Sequence, residues 1–418
     1  MSIQKRSGVT LRTKSLDVPL HGCINSLSTI MNMSRKIVIY LILIFILVLR
    51  AYFSIPNCKN VNNICYYSSY KTLNIKGIVD SQIDSNNFNL KVFSINDKKV
   101  NGNISVNYYG KKNVNFYDKI DFLCSVKNID GSYKQYLENK NIYLVCNMKD
   151  FNIINIDEGL FLKIKYKIFN FAYYVKDKII ERIDYVFDEK YSGFLSSFLL
   201  GDKRFLPKRI ENLMVDKGIS HIISISGFNI NIIVAFIYFL FINIGVNRKI
   251  VFYIISPILF LFSIMTGLNP PVLRASIMMF CILFMQQIGR PYNTIKILLF
   301  VCYIMLLYNP KYILDVSFLL SFLSTFAIIF IKPKVEKKIP DNIAKYLENI
   351  ISTFCIFFIT SPIVFIFFNK LNFMSILYNI AILPFISYLY LFSFLSLIFK
   401  PLAFIPCCIL DYIYLLIC

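Results

Sequence analysis

The chain has 418 residues, 56% of them hydrophobic and 16% aromatic, with a mean hydropathy of +0.58. A water-soluble fold of this length cannot hide that much apolar surface, so a purely soluble protein is excluded. The formal charge of +21 accompanies many Ile, Asn, Lys, Phe and Tyr residues, the types an AT-rich coding sequence favours. Where the positive charges fall therefore carries more information than their sum.

Residues 1–36 are polar and carry Lys5, Arg6, Arg12, Lys14, Arg35 and Lys36 against Asp17. They lead into an apolar run over 37–53, which the basic flank predicts to be a first transmembrane helix with its N-terminus cytoplasmic. A cleaved signal peptide is the competing reading, since the run is short and interrupted by Arg50, but no small-x-small cleavage site follows.

Across 54–158 the apolar density drops and alternating stretches appear: TLNIKGIVD, NNFNLKVFSI, KKVNGNISVNYY, DKIDFLCSV and NIYLVCNM, separated by Asn, Asp and Gly clusters. Period-two alternation between such breakers predicts about five strands, enough for a small closed or half-closed barrel of the OB type. This segment holds Cys58, Cys65, Cys124 and Cys146 on the side where disulfides persist, with Cys124 and Cys146 the preferred pair. The eleven cysteines contain no C-x-x-C pair and histidine is limited to His21 and His221, so no metal site and no cofactor is expected.

Residues 159–218 are expected to form amphipathic and interfacial helices. Phe161, Ile164, Ile168, Phe171, Val175, Ile179, Ile183 and Val186 recur at three- and four-residue steps. They predict a helix lying on the membrane surface, or alternatively one packed on the β-domain. From 219 to 418 come long apolar segments, at about 219–245, 250–266, 271–289, 294–308, 312–331, 350–368, 373–399 and 401–417. Strict alternation from a cytoplasmic N-terminus puts Arg248 with Lys249, Arg290 with Lys296, the group Lys332, Lys334, Lys337, Lys338 and Lys345, and Lys400 all inside. The expected fold is thus a membrane α-helical bundle of about nine transmembrane helices with an inserted extracytoplasmic all-β, OB-like domain.

Ionisable and polar groups within lipid are costly and normally turn toward a partner or a wet path. Arg274 and Asp315 each lie a few residues into a span near the outer face, which predicts an ion pair that is either functional or a structural clamp. The stretch from Ser220 to Asn231 opens a span with His221, Ser224, Ser226, Gly227 and Asn229. Gly227 is the expected point of local unwinding. Ser-His proximity without a carboxylate in the motif does not make a nucleophile and base, so no catalytic residue is assigned. Gly201 and Asp202 read as a turn before the basic run Lys203, Arg204, Lys208 and Arg209.

Four separated motifs in order then identify a resemblance: FLLGDKRFLP followed by GISHIISISGFN, TGLNPPVLRASIM, DVSFLLSFLST, and TSPIVF followed by NIAILP. Together they resemble the competence domain of ComEC-type DNA-uptake channels over about 190–400. The resemblance implies import of single-stranded DNA across the bacterial cytoplasmic membrane, as a multi-pass channel component and not an enzyme. Gly201, Asp202, His221, Ser224, Ser226, Gly227, Asn229, Pro270, Arg274, Asp315 and Ser321 would be its motif or path-lining residues. In the outer domain, Tyr108, Tyr109, Lys111 and Lys112, with Phe116 and Tyr117, are candidates for stacking and charge contacts with a strand, or alternatively barrel core. Implied partners are membrane lipid, single-stranded DNA, a separate nuclease, a cytoplasmic motor and a further copy of the chain.

Two departures qualify this. Where the family usually reads S-G-L-H, this chain has Ser226, Gly227, Phe228 and Asn229, so a role needing that histidine's proton does not transfer. No H-x-H-x-D-H motif is present up to Cys418, so the nuclease function of the family's metallo-β-lactamase-like domain is not expected from this chain. A small-solute permease and a degenerate remnant of a competence protein are the alternatives.

Overall fold

The computed structural model describes residues 43, 45–52, 60–84, 87–110, 114, 118–127, 137–138, 141–154, 160–340, 347–369 and 372–417. The chain divides into two units, Met1–Phe53 and Ser54–Cys418. In the first, residues 45–52 are helical and expose Phe45, Val48 and Tyr52. The polar segment 1–36 lies outside the described residues.

In the second unit six strands come first: β1 (Thr72–Asp84), β2 (Asn87–Ile95), β3 (Lys98–Tyr108), β4 (Lys119–Lys127), β5 (Ile142–Met148) and the two-residue β6 (Asn152–Ile153). Alternation sets the inner face: Leu73, Ile75 and Val79 of β1 are buried while Asn74, Lys76 and Ile78 between them are half-exposed. Phe88, Leu90, Val92, Ile104, Val106, Ile120, Phe122 and Met148 complete the core. The register turns on the two-residue connection of β2 to β3, where Asn96 and Asp97 both take positive φ, 48° and 60°. Two such residues in succession make the type I′ turn that matches strand twist. Asn96 Oδ1 also accepts from the Asn74 N–H at 2.9 Å, and Lys76 reaches Asp97 at 2.6 Å, locking the turn to β1.

β1 pairs with β2 on one side and β4 on the other, and the order β1-β2-β3-β5-β4 closes back on β1. Only β3 and β5 run parallel. That closed order is the five-stranded OB-like barrel. Register shifts along β1 bend the strand, as serving both sides of a small barrel requires. A 3-10 turn, Ile64–Ser69, packs Ile64 and Tyr67 into the barrel core. Cys65 in this turn is disulfide-bonded. Cys124 and Cys146, the expected pair, are buried on adjacent strands with their sulfurs 2.9 Å apart.

The helices are α1 (Leu160–Val186), α2 (Glu189–Leu200), α3 (Lys208–Asp216), α4 (Gly227–Asn243), α5 (Arg248–Met265), α6 (Pro270–Ile288), α7 (Thr294–Tyr308), α8 (Val316–Glu336), α9 (Glu348–Phe368), α10 (Met374–Ile398) and α11 (Phe404–Ile417). Among the described residues seven helices are long and apolar enough to cross a membrane, α4 and α11 counting with the short turns that precede them. Of the eight segments expected, α7 is a shorter apolar helix, its 15 residues reaching about 22 Å before the Pro310–Leu314 turn carries the chain on to α8. Within α8 the backbone widens to a π turn at Ala327–Ile331, where Lys332 N–H bonds to Ala327 O. Pro333 supplies the cause, since it has no N–H to give the Ile329 carbonyl.

α1 carries the expected apolar stripe, and part of that stripe packs on the bundle. Ala172, Ile180, Ile183 and Val186 are buried in the largest apolar cluster, together with α2, α10 and α11. Arg182 Nε donates to Leu397 O at 2.9 Å, and Lys400 Nζ donates to Tyr185 O at 3.3 Å. The C-terminal half of the helix is therefore packed on the bundle, while Ile164, Ile168 and Phe171 in its N-terminal half stay exposed. α2 is enclosed entirely, with every residue from Tyr191 to Leu200 buried.

Candidate functional site

The motif residues converge where the end of α2, the start of α4, and the bodies of α6 and α8 meet. α2 ends at Gly201, whose positive φ of 68° closes the helix through N–H bonds to Ser196 O and Ser197 O. A Cβ there would come within 2.9 Å of Ile225 Cδ1, so glycine serves both the turn and the close approach of the segment before α4.

Asp202 follows and is 4% exposed. It accepts from Arg204 Nε at 2.9 Å and Arg204 Nη2 at 2.7 Å, and Lys176 Nζ of α1 lies at 3.0 Å. Burial alone would raise its pKa, but the hydrogen bonds from Arg204 and the charge of Lys176 outweigh that and hold the carboxyl down at about 2. Arg204 also reaches Asp177 at 3.3 Å, and Lys203 pairs with Glu211 at 2.8 Å. The basic run after Gly201 is thus committed in part to carboxylates of its own chain. Asp202 ties the α2–α3 loop to α1.

The segment before α4 is irregular. A 3-10 turn at Ser220–Ile222 is followed by non-helical residues, and the helix begins at Gly227. His221 and Ser224 are exposed, with Ser224 Oγ donating to the His221 carbonyl at 3.0 Å. Asn229 is 2% exposed; its Nδ2 donates to Phe198 O of α2 at 3.2 Å, and Ser226 Oγ stands 3.3 Å from its Oδ1. This side chain joins α4 to α2.

α6 opens with Pro270 at its first turn, where a missing N–H costs nothing. One turn later Arg274 is 8% exposed and faces α8. Its Nη1 donates to Thr325 Oγ1, which in turn donates to Ser321 O at 2.9 Å. The expected Arg274–Asp315 pair does not form. Asp315 caps α8, accepting from Ser317 N at 2.7 Å and Phe318 N at 3.2 Å. Thr325 lies about ten residues further along that helix, roughly 15 Å away, so carboxylate and guanidinium sit at different levels. Ser263 and Ser276 add a buried hydroxyl pair at 2.9 Å between α5 and α6.

Thr325 escaped the sequence reading, yet it continues a polar line at four-residue steps, Ser317, Ser321, Thr325, on an otherwise apolar helix. Lys176 gave no such signal, because its partner lies in a loop past another helix.

In the barrel, Tyr108 is 4% exposed and set edge-on to Phe151, with ring centroids 5.7 Å apart. It is core and offers no face to a base. Tyr109 is exposed at 68%. Lys111, Lys112, Phe116 and Tyr117 lie outside the described residues. The barrel meets the bundle at Lys311, in the turn before α8, whose Nζ donates to Tyr143 OH and, at 3.1 Å, to Glu138 O. Burial there pushes the Lys311 ammonium below its ordinary pKa, against the opposing charge of Glu138. Among the described residues no group of three or more His, Cys, Asp and Glu side chains gathers as for a metal.

Comparison with known proteins places these features in context. A family model described as "Competence protein" matches residues 198–417. The chain is 22% identical over 337 residues to "ComE operon protein 3" of Bacillus subtilis (strain 168), covering 77% of this chain and 42% of that protein. It is 28% identical over 230 residues to a protein of Aquifex aeolicus (strain VF5) described as uncharacterized, covering 54% and 52%. The chain thus spans about half the length of the curated relatives it matches. No solved structure matches it.

Proposed function

Because the chain belongs to the competence protein family, we propose that it is the membrane component through which single-stranded DNA is imported across the bacterial cytoplasmic membrane. The observation that carries this reading is the OB-like barrel anchored through Lys311 to the turn that opens α8. Barrels of this type commonly hold single strands by stacking and backbone charge. Exposed Tyr109 is the stacking residue we assign to it. Behind the barrel, the buried polar side chains of Asn229, Ser276, Arg274 and Ser321, with half-buried Thr325, run between helices whose outer surfaces are apolar, the arrangement expected of an interior path.

In this reading the N-terminus is cytoplasmic and the barrel faces outward, with the basic connections after α4, α6 and α8 on the inner side. The chain transports and does not hydrolyse; a separate nuclease and a cytoplasmic motor supply cutting and pulling, and the working unit is a homo-oligomer.

Two measurements test the reading. Deleting the gene should abolish entry of labelled single strands, and restoring the full chain should recover it. The purified full chain in lipid nanodiscs should bind an oligonucleotide with an affinity that falls log-linearly with salt. Binding without a salt slope, or uptake that survives deletion, would return the small-solute permease as the better account.

A further inference from the structure

Arg274 presents an electrostatic problem that the protein's own groups leave open. Its guanidinium is 8% exposed, its Nη1 bonds to a neutral hydroxyl, and its Nε is buried with no acceptor. The carboxylate expected beside it, Asp315, is spent on capping α8. The Nη2 end lies against Gly227: a Cβ added there would come within 2.6 Å of it.

Gly227 is the first residue of α4, a 17-residue helix whose preceding Ser226 makes no side-chain cap. In the first turn of α4 the Asn229 N–H bonds to Ser226 O at 3.2 Å; first-turn N–H groups without such a partner are open donors, and the turn carries the positive end of the helix dipole. A buried cation set against a second positive pole, with no counter-charge, is unfavourable twice over. One tetrahedral oxyanion answers both, accepting from the guanidinium on one side and from the helix N–H groups on the other. The missing Cβ of Gly227 is what lets the guanidinium come up against the start of α4.

We propose that Arg274 and the first turn of α4 form a binding site for a single phosphate-type oxyanion, either free phosphate or one phosphodiester of a strand. The phosphodiester as its natural source rests on the DNA-passage reading; the oxyanion site itself does not.

The test uses the full chain purified in detergent, its thermal midpoint followed by light scattering while inorganic phosphate replaces chloride at constant ionic strength. The wild type should rise saturably. Arg274→Gln should be at least as stable as the wild type without phosphate and should show no rise, whereas a purely structural arginine would lose stability on this change. Gly227→Ala should raise the half-saturating phosphate concentration at least tenfold.

A wild type that ignores phosphate, or an Arg274→Gln response equal to the wild type's, overturns the site. Should Arg274→Gln fail to fold, the wild-type titration and Gly227→Ala decide by the same criteria. A short single-stranded oligonucleotide that competes with phosphate assigns the site to a phosphodiester, and a phosphate response without competition assigns it to the free ion. An oligonucleotide shift that persists in Arg274→Gln with no phosphate response sinks the site and leaves DNA passage standing. A complemented strain that takes up no DNA, alongside an intact phosphate response, does the reverse.

Discussion

The barrel and the bundle use opposite rules for what lies inside. In the barrel, Ile75, Leu90, Ile104 and Ile120 are fully buried and polar residues alternate outward, as water demands. In the bundle, Asn229, Arg274, Ser276, Ser393 and Ser396 are buried while Phe358 and Leu415 stand 69% and 78% exposed, as lipid allows. The lesson is that hydrophobicity separates core from surface in the first region, whereas in the second apolar side chains fill both the core and the outer surface and the polar side chains are what turn inward.

Substitutions that ignore this inversion should have the largest effect. Asp202→Ala leaves Lys176 without its carboxylate and Arg204 with Asp177 alone, and should cost about 3–5 kcal/mol, read as a lowered unfolding midpoint in detergent. Adding Lys176→Met should recover part of the loss, and failure to recover any would remove the ion cluster as the cause. In the barrel, Ile104→Ala should cost about 2–5 kcal/mol by the cavity it leaves, measured by urea unfolding of the full chain.

Acid provides an intermediate effect. The folded pKa of Asp202 is depressed to about 2 from 3.8, so its stabilisation is complete above pH 4 and is lost as pH falls through 2. The loss should total about 2 kcal/mol, and Asp202→Asn should flatten this part of the pH profile. Smaller again, Asn96→Ala forces an alanine to positive φ in the β2–β3 turn, and a cost of about 1–2 kcal/mol is expected. At the bottom, Leu415→Ala on the lipid-facing side of α11 should change the midpoint by no more than about 0.5 kcal/mol, although the same change in the barrel core would be severe. A large effect there would break the comparison.

The inversion also explains what could be read in advance. Strands β1 to β5 were legible because water imposes strict alternation, and their ends fall close to the alternating stretches. Apolar run length announced the spanning helices for the same kind of reason. Individual side chains were harder to place. Tyr108 and Tyr109 are adjacent and chemically alike, yet the first ends β3 facing the core and the second, just past it, faces solvent. Arg274 and Asp315 looked like partners because each lies early in its span; helix stagger, which no local pattern records, set them at different levels. The apolar stripe of α1 was correctly spaced, but periodicity does not say what a stripe packs on, and half of it meets the bundle.

α2 carries a consequence for how the protein is made. Its 12 residues, all but Glu189 and Lys190 buried, reach about 18 Å, too little to cross a bilayer unaided. Its walls include Tyr390, 191 residues further along the chain, whose OH lies 3.5 Å from Leu199 O. At a synthesis rate of about 5–20 residues per second, α2 waits roughly 10–40 s for that wall to emerge. Assembly of this region therefore cannot follow the order of translation: the segment must be held, by the insertion machinery or at the membrane surface, until the last two helices arrive to enclose it.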